Sequence, residues 1–501
     1  VFQPTASPTF DGLFRRVLAR QPDALALVDP IDKQRVTGQA PRRLTYAQAD
    51  RAIAAMAAHF IDAGLPPNSI IALQLANTIE FPLTVLAAHR AGLVVALLPQ
   101  LWRHAELTVA LNRIGARAIV SSALIDGVSH ADLAMNAAAE VFSIRHVCGF
   151  GSNLPEGMVP LDDVIAHGDT LPPTMPHDAR QAAIISFDTT AQGLLAVPRT
   201  HLNMIAGGLA VFLESAMPQG ATILAAQTMS SFAGIAATTL SWLLSGGTLV
   251  LHHPFDEQLL QEQATQLRCD TLVVPAGVAM RLAEDGGFAN LPALRHVVGL
   301  WRTPEQVASS PAWPVQDVQF TDVYLFGEVG LFGARRLDDD GFPTLIQPGP
   351  YGAPRNDAQS PIAGEIVLTP EGTLALRGSM VPVAAYTAAA SENDIRIAAP
   401  QTNHVDTGYA ARIDRTTKAI CITAPPPGIV AVGGYRFLAD DLQAWAKRLG
   451  DGAMLTALPD RLSGYRLAGR ASENSRARGA LTELGLNPLM VEAFRDRTGH
   501  D

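Results

Sequence analysis

The sequence predicts an α/β protein. The large N-terminal domain is built of helix-covered, mostly parallel sheets and is followed by a small, shortened α+β C-terminal domain. Three observations predict this. Strand and helix signals alternate from Thr45 to Val274, which is the pattern of parallel sheets covered by helices. The strand segments are near-continuous apolar runs, as expected where both sheet faces are buried. The run Ala424-Pro-Pro-Pro-Gly428 then breaks the chain, because consecutive prolines exclude both helix and central strand. The expected domains are therefore residues 1–424 and 425–501.

The elements follow in order. Thr45-Tyr-Ala-Gln48 is a capping-box pattern. Ala49, Ile53, Met56 and Phe60 then form one helical face, and Gly64 with Pro66 ends it. Ile70 to Leu75 reads as a strand, Ile79 to Ala91 as a helix and Leu93–Leu98 as a buried strand. A helix near Ala105–Ile114 precedes a strand at Ala118–Ser121. The alternation continues through Ala221–Ala225, Thr239–Leu244, Thr248–His252, Leu259–Leu267 and Thr271–Val274. There is no fixed-period repeat and no low-complexity tract.

Composition narrows the function classes. The chain has 501 residues, 48% of them hydrophobic and 17% charged, which describes a chain able to bury a large core. A net charge of -10 without a dense Lys/Arg stripe argues against a nucleic-acid partner. Cys148, Cys269 and Cys421 lie far apart, so neither a disulfide framework nor a zinc spacing follows, and a cytoplasmic location is expected. The apolar stretch from Ala91 to Leu98 is too short for a membrane span.

Six landmarks then appear in a telling order. They are Phe187-Asp-Thr-Thr-Ala-Gln-Gly-Leu-Leu-Ala-Val-Pro-Arg-Thr-His-Leu-Asn203, Gly246-Gly-Thr-Leu-Val250, Thr271 to Pro275, Tyr324-Leu-Phe-Gly-Glu328, Asp406-Thr-Gly-Tyr409 and Ile422 to Tyr435. Together they resemble the motifs of the adenylate-forming superfamily, the AMP-dependent synthetases and acyl-CoA synthetase-like ligases. The resemblance implies a mobile C-terminal lid and a two-step reaction. A carboxylate attacks the ATP α-phosphate, and a thiol such as CoA then takes the acyl group.

Each step needs particular groups, and several motifs are degenerate here. In the family's T-S-G-T-T-G-x-P-K-G loop, backbone N–H groups and a lysine hold phosphate. Here Thr189, Gln192 and Ala196 fill glycine positions, Leu195 fills the lysine position, and Thr190 keeps the hydroxyl. Arg199 lies past the loop. Tyr324 matches the residue that stacks on adenine, Asp322 matches an acceptor for the adenine amino group, and Glu328 matches the glutamate that holds magnesium. Tyr409 replaces the ribose-binding aspartate; it offers one hydroxyl instead of two acceptors and is bulky enough to fill the ribose space. Pro427 stands at the flexible hinge position, where its fixed φ hinders rotation. Lys447 is the last lysine, so the lid's catalytic lysine has no counterpart.

The candidate nucleotide residues are thus Thr190, Asp322, Tyr324, Glu328 and Tyr409, with Glu328 the candidate magnesium ligand. Phe232 and Gly299 mark the family's acyl pocket. No catalytic residue is assigned. No cofactor is fixed by the residues themselves; AMP, Mg-ATP and CoA are those the resemblance implies. Expected partners are a small carboxylic acid or acyl ligand, or another protein. There is no G-x-S-x-G elbow, Walker loop or G-x-G-x-x-G fingerprint, and His252-His253 lacks a third metal ligand at a suitable spacing. Four altered motifs touch both half-reactions. The expected function is therefore a divergent ligase homologue lacking ordinary ATP-dependent adenylation, a pseudoenzyme acting as a binding protein or as an inactive partner of a ligase. The alternative is an enzyme with residual or altered acyl transfer or acyl-CoA ligase activity, using an adenylate or a CoA thioester.

Overall fold

In a computed structural model, which describes residues 8–168, 178–253, 255–337, 340–352, 364–386 and 404–495, the alternating segments assemble into two large sheets. The first has eight strands. Six of them, Leu25–Val28, Thr248–Leu251, Thr222–Ala225, Thr271–Pro275, His296–Trp301 and Gln319–Phe326, lie side by side and parallel. Antiparallel strands Arg43–Thr45 and Gly330–Arg335 close its edges. The second sheet carries Val94–Leu97 and Ile70–Gln74 at its centre, with Ala118–Ser122 on one side. On the other side lies the long hairpin Ala182–Thr190 and Gly193–Thr200. Helices such as Tyr46–Asp62 and Glu80–Arg90 cover the sheets.

The local signals explain the element ends. Thr45 and Gln48 form the reciprocal capping box that opens Tyr46–Asp62. Thr200 and Asn203 do the same for His201–Glu214. Val94–Leu97 is buried throughout, as its unbroken apolar run requires. The segment read as Thr239–Leu244 is a five-residue π-turn, Ala236–Leu240, running into Ser241–Ser245. Thr238 and Ser241 hydroxyls bond back to the Gly234 and Ala236 carbonyls there. Near the first sheet's edge, fully buried Lys33 bridges Asp29 and Glu80 at 2.9 and 2.6 Å.

A five-stranded antiparallel sheet follows, spanning Gly349–Tyr351 to Ile420–Ala424. Beyond the prolines come two hairpins, Ile429–Val432 with Tyr435–Leu438 and Met454–Asp460 with Gly464–Arg470. Helices Ala439–Arg448, Asn474–Glu483 and Pro488–Glu492 pack on them. These C-terminal elements have their own core, including Leu442, Leu455, Leu481 and Phe494. No helix among the described residues is long and apolar enough to cross a membrane.

Candidate functional site

The phosphate-loop segment is a regular hairpin. Ile184–Thr190 pairs residue by residue with Gly193–Arg199, so Asp188 faces Leu195 and Thr190 faces Gly193. Only Ala191 and Gln192 remain for the turn. Gly193 takes φ +100, a conformation that L side chains rarely adopt. Thr190 serves this turn: its hydroxyl donates to the Gly193 carbonyl and accepts from the Gln192 N–H, both at 3.2 Å. A phosphate cradle needs N–H groups converging on one point. In a paired antiparallel ladder successive N–H groups point in opposite in-plane directions and do not converge.

Strand alternation decides what this hairpin aims inward. Ser186, Asp188 and Arg199 are all buried. Arg199 is fully enclosed and faces Glu328, with Nη1 3.5 Å from Oε2. Its other amino group donates to the Glu328 carbonyl, and its guanidinium lies 4.0 Å over the Phe232 ring. The Glu328 carboxylate also accepts from the Ser186 hydroxyl at 2.5 Å and the Phe232 N–H at 3.1 Å. Burial pushes the Glu328 pKa up and that of Arg199 down, and the attraction between the two opposes both shifts.

A second ion pair crosses from the C-terminal hairpin. Arg436 Nη1 donates to Asp188 at 2.9 Å and its Nη2 donates to the Tyr409 hydroxyl at 3.0 Å. Asp188 further accepts from the Tyr386 hydroxyl at 2.8 Å and the Glu328 N–H at 3.1 Å. Thr189 donates to the Arg436 carbonyl at 3.2 Å. Arg436 has room because residue 327 is glycine; a Cβ there would collide with the guanidinium. Tyr409 is 1% exposed, its ring edge-on to Phe326, and burial raises its pKa.

Of the remaining sequence-predicted residues, only Phe232 touches these contacts, through its N–H to Glu328 and its ring under Arg199. Asp322 is fully buried; it accepts two bonds from Arg336, each at 2.9 Å, and one from the Trp301 indole at 2.7 Å. Tyr324 is buried against Phe332, with ring centroids 5.7 Å apart. Phe232 is buried against Gly207, where a Cβ would collide with its ring. Gly299 faces the Phe320 ring in the same way. The cleft between the hairpin and the C-terminal residues 431–436 measures about 90 Å³, and of the predicted residues only Glu328 lines it.

The structure thus brings Glu328, Tyr409 and Phe232 into one network. Its other members, Ser186, Asp188, Tyr386 and Arg436, did not stand out in the sequence. Asp188 carried a signal: a lone carboxylate in an otherwise apolar alternating segment. Arg436→Ala is expected to leave Asp188 without its cation and to speed amide exchange in Ile429–Leu438 by more than tenfold, as loss of a buried pair partner implies. Hydrogen exchange read by mass spectrometry tests it; unchanged exchange would show that the pair does not hold the hairpin.

Layered parallel sheets, a small C-terminal α+β unit and a cleft between them define the class: this is the adenylate-forming fold. The AMP-binding enzyme family model matches residues 14–312, and the chain belongs to that family. It is 29% identical over 195 residues to a salicyl-AMP ligase / salicyl-S-ArCP synthetase of Mycobacterium tuberculosis, covering 38% of this chain and 33% of that one. It is 28% identical over 178 residues to a medium-chain fatty-acid–CoA ligase of Escherichia coli, covering 35% and 31%. The chain thus spans about a third of the length of these curated relatives. Among solved structures, it resembles the amide bond synthetase McbA from Marinactinospora thermotolerans at 17% identity and TM-score 0.69, covering 96% of this chain and 94% of that one. It also resembles Mycobacterium smegmatis MbtA at 19% identity and TM-score 0.65, covering 95% and 88%. These structural likenesses speak to the fold.

Proposed function

We propose that this family member does not carry out ordinary ATP-dependent adenylation and acts as a binding protein, or as an inactive partner of a ligase. The single observation that carries the reading is the Arg199–Glu328 pair. The carboxylate that the resemblance assigns to magnesium already has a cation, a hydroxyl and an N–H around it. The residues in this arrangement do not fit a magnesium-bound nucleotide. Asp322 is committed to Arg336 and Trp301. The hairpin's turn is closed by the Thr190 hydroxyl, and the cleft beside Glu328 holds about 90 Å³, below the ~300–1,000 Å³ of typical small-molecule sites. Without an adenylate there is nothing for a thiol such as CoA to attack.

The test is calorimetric titration with Mg-ATP and with AMP, alongside a pyrophosphate-release assay over a panel of carboxylic acids. The expected result is no saturable heat at millimolar nucleotide and no pyrophosphate above a protein-free control. Saturable Mg-ATP binding that Glu328→Ala abolishes would overturn the reading and restore the ligase one.

A further inference from the structure

Apart from the Arg436–Asp188 pair, the C-terminal elements are joined to the rest of the chain at both of their turns. The first joint lies at the start of the helix His104–Ile114, where backbone N–H groups lack partners within the helix. Glu106 serves one of them locally, its Oε2 accepting from the Arg103 N–H at 3.0 Å. Its Oε1 reaches across the seam and accepts from the Asn487 N–H at 3.1 Å. Ala105 donates its own N–H to the Gly485 carbonyl at 3.3 Å and packs against the C-terminal core. Gly485 and Asn487 belong to the turn between helices Asn474–Glu483 and Pro488–Glu492. Gly485 takes φ +64, and a Cβ there would lie 3.1 Å from that of His104. Asn487 is fixed in turn, since its side chain accepts from the Leu489 N–H at 3.0 Å and caps the following helix.

The second joint is the turn of the hairpin Met454–Asp460 and Gly464–Arg470. It seats on the first turn of the helix Ala276–Glu284. At Gly277 a Cβ would lie 2.6 Å from the Arg461 carbonyl oxygen and 2.8 Å from that of Leu462, so only glycine lets the turn come this close. Gln306 donates to the Gly464 carbonyl at 3.1 Å, and Arg461 meets Glu284 at 3.0 Å. Tyr435 lines the cavities beside both joints, and its hydroxyl accepts from the Leu101 N–H at 3.0 Å. The linker is held as well. Pro425, Pro426 and Pro427 have fixed φ, and the Pro426 ring sits on Gly408, where a Cβ would come within 3.1 Å of it. The Pro426 carbonyl accepts from the Ile429 N–H at 3.1 Å, and the Gly428 carbonyl from the Ala439 N–H at 2.9 Å.

We propose that the C-terminal elements form a fixed cover, latched in this one orientation by the joints at Glu106 and Gly277. Glu106 is a positioning residue that acts through Asn487. The moving lid that the family resemblance implies would have to break both joints and bend a proline-bound linker that is itself packed. Each joint fits a particular backbone to a particular partner, so a rotated cover would find no equivalent contacts at these points. The cleft beside Glu328, bounded by residues 431–436, therefore stays covered. The proposal concerns where these elements sit, and it stands apart from whether nucleotide binds.

Pulsed electron–electron resonance on the full chain without nucleotide tests this. Spin labels go on Asp62→Cys and Ser475→Cys, two exposed positions, in a Cys421→Ser background; Cys148 and Cys269 are buried. One narrow distance is expected in this chain. Glu106→Gln keeps a side chain able to complete the cap at Arg103 but removes the oxygen that faces Asn487. Gly277→Ala drives a methyl group into the Arg461 carbonyl. The two together are expected to add a second, longer distance in about a tenth of the molecules or more, with far-ultraviolet circular dichroism unchanged. Each single variant is expected to show the same second distance at lower occupancy, so the result does not depend on how well the double variant folds. Two distances in the chain with both joints intact would overturn the proposal. A single unchanged distance in all three variants would overturn it as well, since neither joint would then hold the cover.

Discussion

Arg199→Met is expected to destabilise the folded protein by about 3–5 kcal/mol near neutral pH, the usual cost of stranding one partner of a buried ion pair. Glu328 would keep the Ser186 and Phe232 donors but lose the cation paired with it. Burial already raises its pKa, and removing Arg199 raises it further. A raised folded-state pKa means the folded form holds the proton more tightly than the unfolded chain. The penalty is therefore full above the folded pKa and shrinks as pH falls toward the ordinary glutamate value. Urea unfolding at neutral and mildly acidic pH measures both effects. Arg199→Met with Glu328→Gln should recover much of the loss, because a neutral pair strands no charge. A single variant as stable as the wild type would remove the argument that Arg199 neutralises this site.

Lys33→Met should have an effect of similar size, about 3–5 kcal/mol, at a position far along the chain from Glu328. Lys33 is fully buried between two carboxylates, and Arg42 reaches Glu80 at 2.5 Å from the rim. Burial and the neighbouring Glu80 push Asp29 up to about 6 despite Lys33. Glu80 is raised by burial, yet Lys33 and Arg42 more than reverse this and bring it to about 2. In the wild type the two slopes oppose. Glu80 contributes stability that is present above its unfolded value of 4.5 and lost as pH falls toward 2. Asp29 contributes stability that is present below 3.8 and lost as pH rises through about 6. Without Lys33 both carboxylates titrate higher than in the wild type, Glu80 less so because Arg42 still faces it, so acidification from pH 7 should shrink the variant's deficit. A deficit constant from pH 7 to 4 would show that the lysine acts by packing alone.

The fold was written plainly in the sequence because its signals are local. Unbroken apolar strands and the Thr45–Gln48 cap need only near neighbours, and that capping box stands as its residues imply. The family itself was legible from ordered motifs and is matched over residues 14–312. The site was harder to read. Arg199 looked as though it lay past the phosphate loop, since motif alignment counts along the chain. Pairing of Arg199 with Ile184, two residues from Ser186, swings it to Glu328 instead. Arg436 and Asp188 are 248 positions apart, and no local pattern couples such a pair.

The hairpin Ala182–Thr200 also bears on how such a chain could change over generations. Turning it into a phosphate cradle requires glycines at several positions and a lysine in place of Leu195. Each early glycine would loosen the ladder and cost about 0.5–1 kcal/mol, while Arg199 still faced Glu328 and no phosphate was yet held. Intermediates on that path would lose pairing before holding phosphate, so single substitutions are a poor route to such a cradle. A laboratory attempt to build one should exchange the whole turn together with Arg199 and Arg436 in one step.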